Sequence, residues 1–163
     1  MKAVETYFKD LKIIGGGISG DRTQHILWRL QNGSYEKSEP KTVVLAIGVN
    51  NFGDNTASEI AEGIKDVMHL ARKKFKPETK ILFLGPLPTG LDPNSDRRKK
   101  YNEIHQQIKS LGKLENVTYH NTIDIFSNEK GELNPLYYSG DGIHLKAGGY
   151  MVWGKYIRNE IDN

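Results

Sequence analysis

Thr42-Val43-Val44-Leu45-Ala46-Ile47 is the clearest strand in the sequence, continuously apolar and bounded by Pro40 and Gly48. Apolarity without alternation predicts a parallel strand buried on both faces, with helices above and below it. Working outward, Lys80-Ile81-Leu82-Phe83-Leu84-Gly85 reads as a second buried strand and Val117-Thr118-Tyr119-His120 as a shorter third. Before them, Leu11-Lys12-Ile13-Ile14 reads as a short strand running into a glycine loop. Helical spacing fills the gaps. Val4, Tyr7, Phe8 and Leu11 predict a helix within residues 1–12, and Ile26, Leu27 and Leu30 predict one that Asp21 caps and Asn32-Gly33 ends. Thr56 and Glu59 form a capping box ahead of Ile60, Ile64, Val67, Met68 and Ala71. Further helices are expected from about Asn94 to Leu111 and from Ala147 to Ile161, with irregular chain from Ile123 to Gly142. Strands alternating with helices at this spacing call for βαβ units and a three-layer α/β sandwich.

Composition narrows the function classes. At 163 residues the chain fits one domain with a real core, and 37% hydrophobic with 26% charged residues is ordinary for a globular protein. A net charge of +3, with 23 basic residues interleaved among 20 acids, argues against a nucleic-acid partner. The basic runs Arg72-Lys73-Lys74 and Arg97-Arg98-Lys99-Lys100 lie on or beside predicted helices and read as exposed faces. The absence of cysteine excludes disulfides, thiolate nucleophiles and Cys-ligated zinc. No apolar run reaches membrane-span length. Without a signal-peptide core at Met1-Lys2-Ala3-Val4-Glu5, a cytoplasmic protein is the default expectation, although a secreted form would read the same way.

Three stretches carry chemistry. Asp141-Gly142-Ile143-His144-Leu145 places a carboxylate three residues ahead of an imidazole across a glycine, the makings of a general base. Gly15-Gly16-Gly17-Ile18-Ser19-Gly20 matches G-x-G-x-x-G, but the next strand ends Ile47-Gly48-Val49-Asn50, without the acid that would hold a ribose. That loop stays open to three uses: a dinucleotide site, a tight turn, or a cradle of backbone N–H groups for an oxyanion. Asn50 leaves the carboxyl end of the best strand, where ligands bind in open α/β sheets. It reads either as a turn former or as an uncharged oxyanion donor. His25, His69, His105 and His120 show no metal-ligand spacing and read as structural or exposed.

Gly17-Ile18-Ser19-Gly20-Asp21-Arg22-Thr23-Gln24-His25 with Leu27-Trp28-Arg29-Leu30, then Gly48-Val49-Asn50-Asn51, then Asp141-Gly142-Ile143-His144-Leu145 resemble three of the four blocks of the SGNH (GDSL) hydrolase family. The resemblance is to the branch of platelet-activating-factor acetylhydrolase catalytic subunits and their bacterial relatives. It implies a flavodoxin-like parallel sheet between helices, no metal and no organic cofactor, and a small acyl-ester substrate such as an acetyl ester of a sugar or lipid. By resemblance, Gly20 supplies a backbone oxyanion donor, Asn50 a side-chain donor, His144 the general base and Asp141 its orienting partner. The family's Gly-Asp-Ser block, which carries the nucleophile at the end of the first strand, has no counterpart in this sequence. The expectation is therefore a single SGNH-like domain over residues 1–163, N-terminally incomplete, lacking its first strand and impaired as an esterase. Ser19 is the first candidate for a substitute nucleophile and Ser139 a weaker one. A non-catalytic ligand-binding member of the same fold is the alternative. A missing strand also leads us to expect that a homodimer or strand exchange completes the sheet, or else that the sheet is rearranged.

Overall fold

A computed structural model describes residues 2–163, apart from the side chain of Glu36. Its backbone packing resolves two compact units. One comprises Ser19–Leu87 and Lys99–Asn121, and the other the chain up to Ile18, Pro88–Arg98 and Thr122–Asn163.

The first of these holds the sheet. Strands β1 (Thr42–Leu45), β2 (Lys80–Phe83) and β3 (Val117–Tyr119) lie in the order β1-β2-β3, all parallel. Thr42 faces Lys80 and Leu45 faces Phe83, while Ile81 faces Val117 and Phe83 faces Tyr119. The expected α/β architecture of parallel strands flanked by helices is present. The expected centre of the sheet is not where apolarity alone puts it. β2 is the middle strand and its Ile81, Leu82 and Phe83 are buried, whereas β1 pairs on one side only among the described residues and leaves Val44 39% exposed. An apolar run reports a preference for burial, and only the number of hydrogen-bonded neighbours decides whether a strand is central.

Helix α2 (Thr23–Asn32) packs on α3 (Ala57–Lys74). At their contact a Cβ on Gly63 would lie 2.6 Å from Thr23 Oγ1, so the crossing depends on a residue without a side chain. Ile60, Ile64, Val67, Met68 and Ala71 of α3, the stripe that its spacing predicts, are fully buried, and so is Ala61. Each of the larger side chains contributes about 1.5–3 kcal/mol by leaving water. The capping box forms as expected: the Glu59 N–H donates to Thr56 Oγ1 at 3.2 Å and the Thr56 N–H to Glu59 Oε2 at 2.7 Å. Thr56→Ala leaves one of those N–H groups without its acceptor, and we expect a loss of about 1 kcal/mol in urea denaturation. Asp21, by contrast, does not cap α2. The cap position is Arg22, whose N–H donates to His25 Nδ1 at 3.1 Å, because the Asp21 carboxylate is taken by Arg29.

The second unit is built from α1 (Lys2–Tyr7), α5 (Ile123–Phe126), α6 (Ala147–Asp162) and the first residues of α4 (Asp96–Ile108), the rest of which belongs to the sheet unit. α1 packs on α6 at Gly154, where a Cβ would meet Tyr7 at 3.1 Å, and Arg158 fastens the pair through the Tyr7 carbonyl at 2.9 Å and Asp10 at 2.6 Å. The expected strand Leu11–Ile14 does not form. The segment is irregular, with Ile13 53% and Ile14 61% exposed. A strand needs a neighbour for its backbone groups, and the described residues pair none with it. The glycine loop that follows thus has no strand before it, which removes the context a dinucleotide site requires. Among the described residues no helix is long and apolar enough to cross a membrane.

Candidate active site

In the helical unit the chain from Ser139 to His144 closes into a tight loop. The Ser139 N–H donates to the His144 carbonyl at 2.8 Å and the Gly142 N–H to the Ser139 carbonyl at 3.0 Å. Gly142 takes φ +63°, a left-handed conformation, and a Cβ there would sit 2.9 Å from Leu91. Glycine is the residue type that fits such a position. The turn brings Asp141 and His144 together as expected. Asp141 Oδ1 accepts the Ile143 and His144 N–H groups at 2.8 and 3.0 Å, and Oδ2 lies 2.7 Å from His144 Nδ1.

The hydrogen bond from His144, and then the backbone N–H groups of His144 and Ile143, hold the Asp141 carboxyl down at about 2. The carboxylate is therefore ionised at neutral pH and only accepts, which puts the imidazole proton on Nδ1 and leaves Nε2 as the basic nitrogen. The His144 side chain is 78% exposed, so Nε2 is open to a reacting molecule.

The sheet unit holds the other expected residues. Gly48, at φ +116°, turns the chain after β1 into a short 3-10 turn, Val49–Asn51. Asn50 Nδ2 donates to the Asp21 carbonyl at 2.8 Å. That places it beside Gly20, which adopts φ +82° on an exposed turn where a Cβ would meet nothing within 4 Å. A primary amide carries two N–H groups, and the Asp21 carbonyl takes one of them. Gly20 and Asn50 are thus close neighbours, and both are exposed. Ser19 is exposed on the same turn.

Sequence reasoning missed what braces this pair. Asn51 is 3% exposed: its Oδ1 accepts the Thr23 N–H at 3.1 Å, and its Nδ2 donates to Gln24 and Asn55 at 3.2 Å each. Asp21 is nearly buried and grips Arg29 through both oxygens. The second correction concerns the basic run 97–100. Arg98 is 3% exposed, and Lys100 Nζ donates to the carbonyls of Phe52 and Asn55 at 2.9 and 2.8 Å. A signal was available, since Arg98 lies on the helical stripe of Tyr101, His105 and Ile108.

Known proteins resemble this chain in family profile, in sequence and in fold. The profile of the GDSL-like Lipase/Acylhydrolase family matches residues 4–152. Platelet-activating factor acetylhydrolase IB subunit alpha2 of Homo sapiens is 40% identical over 144 residues, covering 88% of this chain and 61% of that protein. Subunit alpha1 of Homo sapiens is 39% identical over 103 residues, 63% of this chain and 43% of that one. This chain therefore spans about 61% of the length of the alpha2 subunit. Among solved structures, a GDSL-like lipase from Bacteroides thetaiotaomicron matches 99% of this chain and 80% of its own, with a TM-score of 0.77 at 24% identity. A mutant of an acetyl-xylooligosaccharide esterase from Geobacillus matches 99% and 78%, with a TM-score of 0.77 at 16% identity. At those identities the structures speak for the fold alone.

Proposed function

The chain belongs to the GDSL-like lipase/acylhydrolase family, and from that membership we propose that it carries the base and the oxyanion donors of a serine ester hydrolase. The observation that carries the reading is the 2.7 Å contact between His144 Nδ1 and an ionised Asp141. In this reading His144 Nε2 takes the proton of an attacking hydroxyl and returns it to the leaving alcohol. Asp141 holds the tautomer and stabilises the imidazolium between the two transfers. The Gly20 N–H and the Asn50 amide receive the negative charge on the carbonyl oxygen. The relatives' names, a platelet-activating factor acetylhydrolase and an acetyl-xylooligosaccharide esterase, support short acyl esters, acetyl esters first, as the substrate class.

The sequence contains no Gly-Asp-Ser, so we propose that the base in this chain has little to activate. p-Nitrophenyl acetate hydrolysis is expected to run at the same rate, within a few-fold, in the chain and in His144→Ala. A chain extended at its N-terminus by a strand ending in Gly-Asp-Ser is expected to gain a rate that His144→Ala abolishes. If the extension adds nothing, the hydrolase reading fails and the second reading takes its place, a family member that binds acylated or anionic ligands at Gly20 and Asn50. That reading is favoured by one fact, the retention of both donors without the nucleophile block. A His144-dependent rate in the unextended chain would instead make Ser19→Ala the next substitution.

The open edge of β1 supports a proposal about assembly. Among the described residues β1 pairs on β2 alone and Val44 is 39% exposed, and we propose that a strand from a second copy covers the open edge of β1. Sedimentation velocity should return a dimer. A monomer across the micromolar range would overturn this.

A further inference from the structure

We infer that Arg98 is the positioning residue for the Asp141–His144 pair, acting through the loop Pro88–Leu91. The inference rests on reading that pair as the base of a hydrolase.

Arg98 enters the unit from the start of α4 and its guanidinium is spent on backbone. Nε donates to the Thr89 carbonyl at 3.2 Å, one Nη to the Gly90 carbonyl at 2.7 Å, and the other Nη to the Gly131 carbonyl at 2.7 Å. At 3% exposure this is a buried charge, which costs stability unless its N–H groups find acceptors, and three carbonyls from two loops meet that demand. The planar fork fixes the directions of all three bonds, so the loop cannot swing without breaking several at once. Gly90 takes φ +86° and lies close against the start of α4: a Cβ there would be 2.7 Å from Ser95 Oγ, just before the helix, and 3.2 Å from the Arg98 backbone nitrogen.

The held loop in turn holds the carbonyl next to Asp141. The Gly90 N–H donates to the Gly142 carbonyl at 2.9 Å and Thr89 Oγ1 to the same oxygen at 3.1 Å. Thr89 is fully buried and its hydroxyl also accepts from Arg97 Nε at 2.5 Å, which aims its proton at Gly142. Leu91 packs where a Gly142 Cβ would go, and its carbonyl accepts the Leu133 N–H at 3.2 Å. Gly142 follows Asp141 directly, so a rotation of its backbone would swing the Asp141 carboxylate away from His144 Nδ1. An exposed dyad has no packing of its own to keep it aligned, and its alignment is set from behind, through α4.

The test uses the chain labelled with 15N at histidine, His144 being assigned by His144→Ala. At alkaline pH, where imidazole is neutral, the His144 proton is expected on Nδ1 in the parent chain. In Arg98→Met, checked as folded by circular dichroism, it should move largely to Nε2, and in Arg98→Lys the two tautomers should mix. Arg158→Met, which removes the ties to Tyr7 and Asp10 in the same unit, should lower stability and leave the His144 nitrogens unchanged. If Arg98→Met does not fold, Thr89→Val removes only the hydroxyl between Arg97 and Gly142 and should move the tautomer in the same direction. His144 nitrogens identical to the parent in a folded Arg98→Met, or in Thr89→Val, would overturn the inference. The readout needs no turnover, so a Gly-Asp-Ser extension that adds no rate sinks the hydrolase reading and leaves the tautomer result standing.

Discussion

Between pH 6.5 and about pH 4 the protein is expected to lose about 3 kcal/mol of stability at one side chain, His105. Its ring lies in the sheet unit, 4% exposed, between Tyr101 and Tyr119 with centroids 4.2 and 5.9 Å away. Nε2 is 3.1 Å from the Pro86 carbonyl, which can only accept, so Nε2 carries the proton and Nδ1 accepts from Tyr119 Oη at 2.6 Å. Every partner fits the neutral ring. Burial pushes the His105 pKa from 6.5 down to about 4, with the Pro86 carbonyl opposing the shift. The sign follows from linkage. The unfolded chain takes up a proton below pH 6.5 that the folded chain refuses until about pH 4, so stability is complete above the first value and falls through the window. At about 1.4 kcal/mol per unit the full shift is worth about 3.5 kcal/mol, of which about 3 is already lost at pH 4, where the folded ring is half protonated.

Urea midpoints measured across that window should fall steeply for the parent chain and stay nearly flat for His105→Asn, whatever the variant loses at neutral pH. A slope that survives the substitution would assign the loss to other groups. Asp141 acts in a separate window, since its pKa is lowered from 3.8 to about 2 and its contribution is lost only as pH falls below 3.8.

The second large effect concerns two neighbouring glycines whose replacement by alanine should have opposite signs. Both open α6, where alanine is favoured over glycine by up to about 1 kcal/mol. At Gly148 a Cβ would find the Leu136 carbonyl at 3.4 Å, an ordinary contact, so Gly148→Ala should hold or gain stability. At Gly149 it would lie 2.5 Å from the Tyr137 carbonyl and 3.0 Å from Leu145. That carbonyl cannot retreat easily, because it accepts the Lys146 N–H at 2.8 Å and belongs to the segment bridged at Tyr138 and Leu145. Overpacking against backbone costs about 1–3 kcal/mol, which outweighs the propensity gain. Gly149→Ala should therefore lower the urea midpoint, and because the bridged segment leads into the Ser139–His144 loop, it should loosen the dyad as well. Equal midpoints for the two variants would mean that α6 shifts freely and that this contact does not fix the loop.

Much of the architecture was legible because it rests on short-range rules. The α3 stripe, its Thr56–Glu59 box, the three strands and the Asp141–His144 turn all follow from spacing within a few residues. What escaped depends on neighbours distant in sequence. Leu11–Ile14 has the composition of a strand but gains no partner, and β1 has the composition of a central strand but lies at an edge. Asp21 has the chemistry of a cap but is drawn off by Arg29, eight residues on. Arg98 was hidden by the company it keeps. Three further basic residues make the run look solvated, and only its place on the Tyr101–Ile108 stripe marks it as inward. The candidate donors Gly20 and Asn50 could be named from sequence, whereas the buried Asn51 that fixes the turn beneath them could not, because its role lies in contacts with Thr23 and Gln24 across the fold.

The register of the sheet also determines how the chain must reach it. Thr42 has to find Lys80, and Ile81 has to find Val117, so no strand pair can close locally as a hairpin does. Loop-closure entropy is spent before any ladder bond forms, so pairing the strands has to join segments distant in sequence. α3 lies wholly inside the first closure and α4 inside the second, and each helix shortens the path its strands must travel. Helix propensity in these two segments therefore acts on the speed of refolding as well as on the depth of the native minimum. During synthesis, β1 and β2 leave the ribosome before β3, so the three-stranded sheet is complete only once β3 arrives.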